Sequence, residues 1–156
     1  MGLRKIDIHI IGNILEVIIR SLPLFSSYEL IKKDIQDLSS PTKVTNYDFV
    51  FISEKYNRWL FVRLSDFFKH QNMVIWINEL INKKHTNIDL SSYFISKLNN
   101  KTIKQKLVFK VNSENDLKDE LEKTFKYINE QMDDKLKKVV LGELWIDMPV
   151  DWGDYK

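Results

Sequence analysis

Three histidines, His9, His70 and His85, are the only imidazoles in the chain. With no cysteine present, they are where metal or acid–base chemistry would have to begin. Asp66 precedes His70 by four residues and His85 precedes Asp89 by four, so each pair would share a face if its stretch were helical. Neither pair has a third ligand at a recognisable metal spacing, and solvated surface histidines explain both better than a metal site does. His9 falls on the polar side of an amphipathic stretch and is expected to be exposed. The serine pairs Ser26-Ser27, Ser39-Ser40 and Ser91-Ser92 read as caps and turns, and no Gly-x-Ser-x-Gly elbow is present. Acids with a lysine on adjacent strands, as a metal-dependent phosphodiesterase uses, have their nearest approach in Asp48 with Glu54-Lys55, at an unspecific spacing. No catalytic residue, metal or cofactor is assigned, and a hydrolase or nuclease with an unrecognised site ranks third among the functional readings.

Charge is more informative than any motif. Residues 114–156 hold 12 acids against 7 bases, a net of −5; the whole chain is +2, so residues 1–113 carry +7. At the negative end, Glu143, Asp147, Asp151 and Asp154 alternate with Trp145, Trp152 and Tyr155. Acids around rigid aromatic anchors suit a protein contact, because aromatics are enriched at interface hot spots and acidic surfaces steer basic partners. Within the positive part, Lys97, Lys101, Lys104, Lys106 and Lys110 form a run with no intervening acid, close to Tyr93, Phe94 and Phe109. Lysines beside rings can hold single-stranded nucleic acid through phosphate contacts and base stacking. With 20 lysines to 4 arginines, however, the planar fork that commonly grips phosphates is scarce.

Positioning these residues requires a scaffold, and it is organised around Tyr47 to Leu64. The runs YDFVFIS and RWLFVRLS flank the polar segment Glu54 to Asn57, which reads as a hairpin. Side chains alternate along a strand, so Tyr47, Phe49 and Phe51 share one face and Val50 and Ile52 the other; Trp59 and Phe61 likewise oppose Leu60, Val62 and Leu64. Both faces are apolar, which predicts a ribbon covered on both sides.

Ahead of the hairpin, Leu3 to Leu22 reads as an amphipathic helix with a wide apolar arc, ended by Pro23. Its longest uncharged run, Ile8 to Leu15, is far short of the roughly 20 apolar residues of a membrane span. Ser26 stands three residues before Glu29, the spacing of a capping box, and Ile31, Ile35 and Leu38 follow at helical intervals, so a second helix is expected over Ser27 to Leu38. Ser39-Ser40-Pro41-Thr42 stops it.

After the hairpin, Met73 to Ile77 reads as a third strand from its β-branched and aromatic content, although periodicity alone leaves helix open. Asn82 to Asn87 is a loop, Leu90 to Leu98 a short helix, and Lys106 to Val111 a strand at or near the sheet edge, with Leu107, Phe109 and Val111 inward. Ser113 caps a long helix from Glu114 toward Leu141, which Asp133-Asp134 divides in an alternative reading.

At 156 residues the chain has the length of one domain, and 44% hydrophobic with 29% charged residues fits a globular protein. Alanine is absent while Ile, Lys and Asn abound, which reads as the codon bias of an AT-rich genome; a bacterial or phage source is expected only by analogy of size and composition. The expected architecture is one α+β domain over 1–156: a mainly antiparallel sheet of about four strands, two N-terminal helices, a long C-terminal helix, and a tail, 143–156, packed back on the body through Trp145 and Trp152. The expected function is a non-enzymatic, cytoplasmic protein-binding module, of an inhibitor or immunity kind, contacting a basic protein through Glu143, Trp145, Asp147, Asp151, Trp152, Asp154 and Tyr155. The alternative is nucleic-acid binding through Lys97 to Lys110.

Overall fold

The computed structural model describes residues 2–38, 44–67, 69–81 and 85–148. In chain order these form α1 (Ile8–Ser21), a 3-10 turn (Pro23–Phe25), β1 (Glu29–Leu38), β2 (Val44–Ser53), β3 (Arg58–Asp66), β4 (Gln71–Glu79) and β5 (Ile88–Asp89). There follow α2 (Leu90–Leu98), α3 (Ile103–Lys106), β6 (Val108–Phe109), α4 (Glu114–Gln131) and α5 (Asp134–Val140). The fold is α+β, its sheet running β1-β2-β3-β4-β5 with β6 also on β4, and every pairing is antiparallel.

The central hairpin forms as expected. Its turn closes when the Asn57 N–H donates to the Glu54 carbonyl at 3.3 Å, with Asn57 at φ 55°, a left-handed conformation that asparagine tolerates. Cross-strand rows then define the inner face. Leu30, Phe51, Leu60, Ile77 and Ile88 form one such row, and Lys33, Phe49, Val62 and Ile75 the next. Phe49, Phe51, Leu60, Val62, Leu64, Ile75 and Ile77 are all buried in the core, where α1, α2, α4 and α5 supply Leu15, Ile19, Phe94, Leu121, Phe125 and Leu136.

Helix ends follow local rules. Asp7 caps α1 through the His9 N–H at 2.8 Å, so the helix begins later than its apolar pattern suggested; Leu3 and Ile6 are nonetheless buried, in the turns that precede it. Ser113 accepts the Asp116 N–H at 3.1 Å while the Asp116 carboxylate accepts the Asn112 N–H at 3.0 Å. The long C-terminal stripe does divide: Met132 is extended, and Asp133 caps α5 by accepting the Leu136 N–H at 3.0 Å.

Two expectations are corrected outright, and a third, the strand over Lys106 to Val111, is cut back to Val108–Phe109 because Lys106 closes α3 and Leu107 caps it. The stretch assigned as a second helix, Ser27 to Leu38, is strand β1, paired with β2 from Glu29↔Ile52 to Leu38↔Val44. Ser26 spends its hydroxyl on the Pro23 carbonyl at 3.2 Å within the preceding turn, which removes the supposed helix cap. The stripe that suggested a helix buys no burial either, since Ile31 and Ile35 are 56% and 48% exposed. Tertiary ties hold the extended form instead: the Leu30 N–H donates to the Glu16 carboxylate at 2.8 Å and the buried Tyr28 hydroxyl to the Val140 carbonyl at 2.6 Å. The second correction concerns the hairpin, whose helices cover one face only.

The N-terminus is tied to the sheet by Asp66, whose buried carboxylate accepts the Leu3 N–H at 3.0 Å and the Gln71 side-chain amide at 3.1 Å. Gly2 lies at φ 63° directly over that carboxylate, where a Cβ would meet its oxygens at 2.6 Å. Asp66→Ala leaves both buried donors unpaired and should lower stability by about 2–4 kcal/mol, read by urea denaturation.

Candidate functional site

On the outer face of the sheet, register sorts the side chains into four rows. The first is polar, Gln36, Asn46, Ser65 and Asn72, with the Ser65 hydroxyl donating to the Asn46 Oδ1 at 2.7 Å. The second is ionic, Asp34, Asp48 and Arg63. The third is Lys32, Val50, Phe61, Trp76 and Asp89, and the fourth Ile52, Trp59 and Asn78. No described helix lies on this face, and Trp59, Phe61 and Trp76 stand outside the core cluster.

Those three rings pack on one another. Trp59 and Phe61 stack at 5.6 Å between centroids with planes 12° apart, and Phe61 and Trp76 at 5.0 Å and 17°. Phe61 is left 9% exposed between two half-buried tryptophans. The Trp76 indole N–H donates to Asp89, which also caps α2 through the Ser91 N–H at 2.9 Å, so the edge of the strip is fixed to a helix start. Beside the strip, Arg63 forks onto Asp48, Nε to Oδ1 at 2.8 Å and Nη2 to Oδ2 at 3.0 Å, with its guanidinium over the Phe61 ring. That hydrogen-bonded pairing raises the Arg63 pKa further above its ordinary value. Lys32, Asp34, Gln36, Val50 and this pair line a shallow depression of about 230 Å³. The arrangement offers apolar edges beside fixed charges, the composition of an interface core with a polar rim.

At the β4–β5 end the face meets the tail. The Asn78 amide donates to the His85 carbonyl at 3.2 Å and to the Asn87 side chain, and Asn78 stands opposite Trp59. His85 lies between carboxylates, its Nδ1 against Asp147 and its Nε2 3.4 Å from Glu79, and its ring stacks on Trp145 at 5.4 Å. The Arg58 guanidinium lies over Trp145 at 5.2 Å while donating to the Val139 and Leu144 carbonyls at 2.7 and 2.9 Å. Burial holds the Arg58 pKa below its usual value.

Of the acidic, Trp-containing set, Trp145 is therefore half-buried against Arg58 and His85, Glu143 is exposed, and Asp147 is exposed but engaged by His85. Asp151, Trp152, Asp154 and Tyr155 lie outside the described residues. Lys97 lies in the last turn of α2, Lys101 follows that helix, Lys104 and Lys106 are on α3 and Lys110 follows β6; all five are exposed. Tyr93, Phe94 and Phe109 are buried, so the rings beside those lysines face the core. Lys106 instead sits over the Tyr127 ring at 5.2 Å.

The histidine pairs do not form helical faces. Asp66 ends β3 and His70 stacks on Phe67 in the turn before β4, while His85 precedes β5 and Asp89 closes it. Among the described residues no group of three potential ligands converges. Asp48 is held by Arg63, whereas Glu54 and Lys55 are in the turn some six residues, about 20 Å, further along. Among the described residues no helix is long and apolar enough to cross a membrane. The outer face itself was missed because alternation read both hairpin faces as interior. The one available signal was the charge at Asp48 and Arg63, which faces outward beside Val50 and Phe61.

No family model, curated protein or solved structure matches this chain, so its class rests on the fold and on this surface alone.

Asp48 is 6% exposed, and Arg63→Ala would leave its carboxylate without its counter-ion. A loss of about 2–4 kcal/mol is expected in chemical denaturation, with partial recovery when Asp48→Asn is added.

Proposed function

We propose that the protein is a non-enzymatic protein-binding module that docks a partner on the open face of its sheet. The observation that carries this reading is the strip of Trp59, Phe61 and Trp76, left uncovered by any described helix while the opposite face is packed. Tryptophan beside arginine is the composition of interface hot spots. The rings lie against one another, so Phe61 has no free face on which a base could stack, and the neighbouring charges are mixed in sign. Both features favour a protein over a nucleic acid. Asp147 lies toward the end of the same face, through the His85 and Asn78 contacts, and suggests the partner's preferred charge: a basic rim meeting an acidic one. An inhibitor or immunity role, covering a basic protein, is the biological setting we favour.

The runner-up remains the lysine stretch, Lys97 to Lys110, gripping phosphates without ring stacking. Affinity capture from the source cells with the full chain separates the two. Trp59→Ala with Trp76→Ala should reduce capture of a specific protein at least about tenfold with thermal unfolding still cooperative, because buried aromatic anchors contribute 1.4 kcal/mol or more each. Lys101→Glu with Lys104→Glu should leave it unchanged. Capture indifferent to the tryptophans would overturn the reading, and salt-sensitive oligonucleotide binding lost with the two lysines would establish the alternative.

A further inference from the structure

We propose that the protein self-associates through β1, two copies pairing antiparallel about a two-fold axis at Lys33, so that two six-stranded sheets become continuous. β1 is ten residues long, has β2 on one side, and among the described residues no strand on the other. The Leu30 N–H is taken by Glu16, but beyond it an edge strand is a template for another strand. Two of the large apolar side chains that remain exposed, Ile31 at 56% and Ile35 at 48%, lie on it.

The choice of a second copy as occupant comes from the order of charges. A two-fold axis normal to the sheet sets residues at equal distances before and after the axis opposite each other. With Lys33 on the axis, Lys32 faces the partner's Asp34 and Ile31 faces the partner's Ile35, and each pairing occurs twice. Lys32 and Asp34 are both exposed on the outer face, and neither has an ion-pair partner among the described residues. Opposite charges directly across an antiparallel pair stabilise it, as apolar pairs do. Lys33 meets its own copy at the axis, but its stem lies along α1, where a Cβ on Gly12 would meet its Cδ at 2.8 Å. The bulge between Leu30 and Lys32 ends the ladder on that side, so each copy contributes a short segment, 31–35, and the dimer is reversible. Trp59, Phe61 and Trp76 are on β3 and β4 and stay uncovered, so this inference does not depend on what the outer face binds.

Sedimentation velocity of the full chain, from micromolar to millimolar concentration, tests it. A monomer–dimer equilibrium is expected, with association weakened about tenfold or more by Lys32→Asp or by Asp34→Lys and restored to within a few-fold by the double reversal. Ile35→Lys should leave only monomer, with the circular dichroism and unfolding midpoint of the monomer preserved. A wild-type chain that stays monomeric throughout, a dimer indifferent to the single reversals, or a double reversal that fails to recover would each overturn the proposal. A register centred on Ile35, which sets Lys32 opposite Leu38, would reveal itself by that indifference.

Discussion

One-sided burial of a four-stranded meander is the constraint on which the other features depend. Each Phe, Leu or Ile on the inner rows contributes about 1.5–3 kcal/mol when removed from water, and β2, β3 and β4 present them in unbroken register. That face has to find helices. α1 reaches it from the N-terminal side, where Gly12 lets the helix approach Leu30 and Phe49 closely, and α4 and α5 return to it from the C-terminal side. Once the helices are committed there, the outer rows are left, among the described residues, to shielding mainly by their own neighbours. Trp59, Phe61 and Trp76 do this by packing on one another, and Arg63 does it by covering Phe61 while neutralising Asp48.

Buried polar groups appear where elements must be fastened in one orientation. Asp66 fixes the N-terminal turns to the end of β3, Tyr28 fixes the entry to β1 onto α5, and Arg58 gathers the carbonyls at the end of α5 and the start of the tail. Each joins segments far apart in sequence, and each satisfies groups that burial would otherwise leave unpaired. Arg58 also orients the tail: its guanidinium and the His85 ring both lie on Trp145, which brings Asp147 to the β4–β5 end of the sheet. Asp147 and the aromatic face thereby adjoin, although no local pattern relates them.

Functional legibility differed from residue to residue for physical reasons. Trp145 was recognisable as an anchor because a large indole next to acids and Pro/Gly breakers has few other uses, and it packs against Arg58 and His85. The Lys97 to Lys110 run was legible as charge, but the orientation of Phe94 and Phe109 was not, since a ring beside a lysine can face either way until a core exists. Trp59, Phe61 and Trp76 were legible as strand residues and illegible as a surface.

By itself, the sequence determined the hairpin, the helix over Leu90 to Leu98 and the capped start of the C-terminal helix, while it favoured a third strand over Met73 to Ile77 without deciding it and left the division at Asp133 open. Alternation, caps and turn residues act over a few positions, and their energies do not depend on distant partners. Only the tertiary structure decided that Glu29 to Leu38 is a strand, because pairing with β2 and the ties to Glu16 and Val140 outweigh a local preference worth a few tenths of a kcal/mol per residue. The choice of sheet face was likewise tertiary: two apolar faces compete for one set of helices, and what settles the competition is the packing of the whole chain.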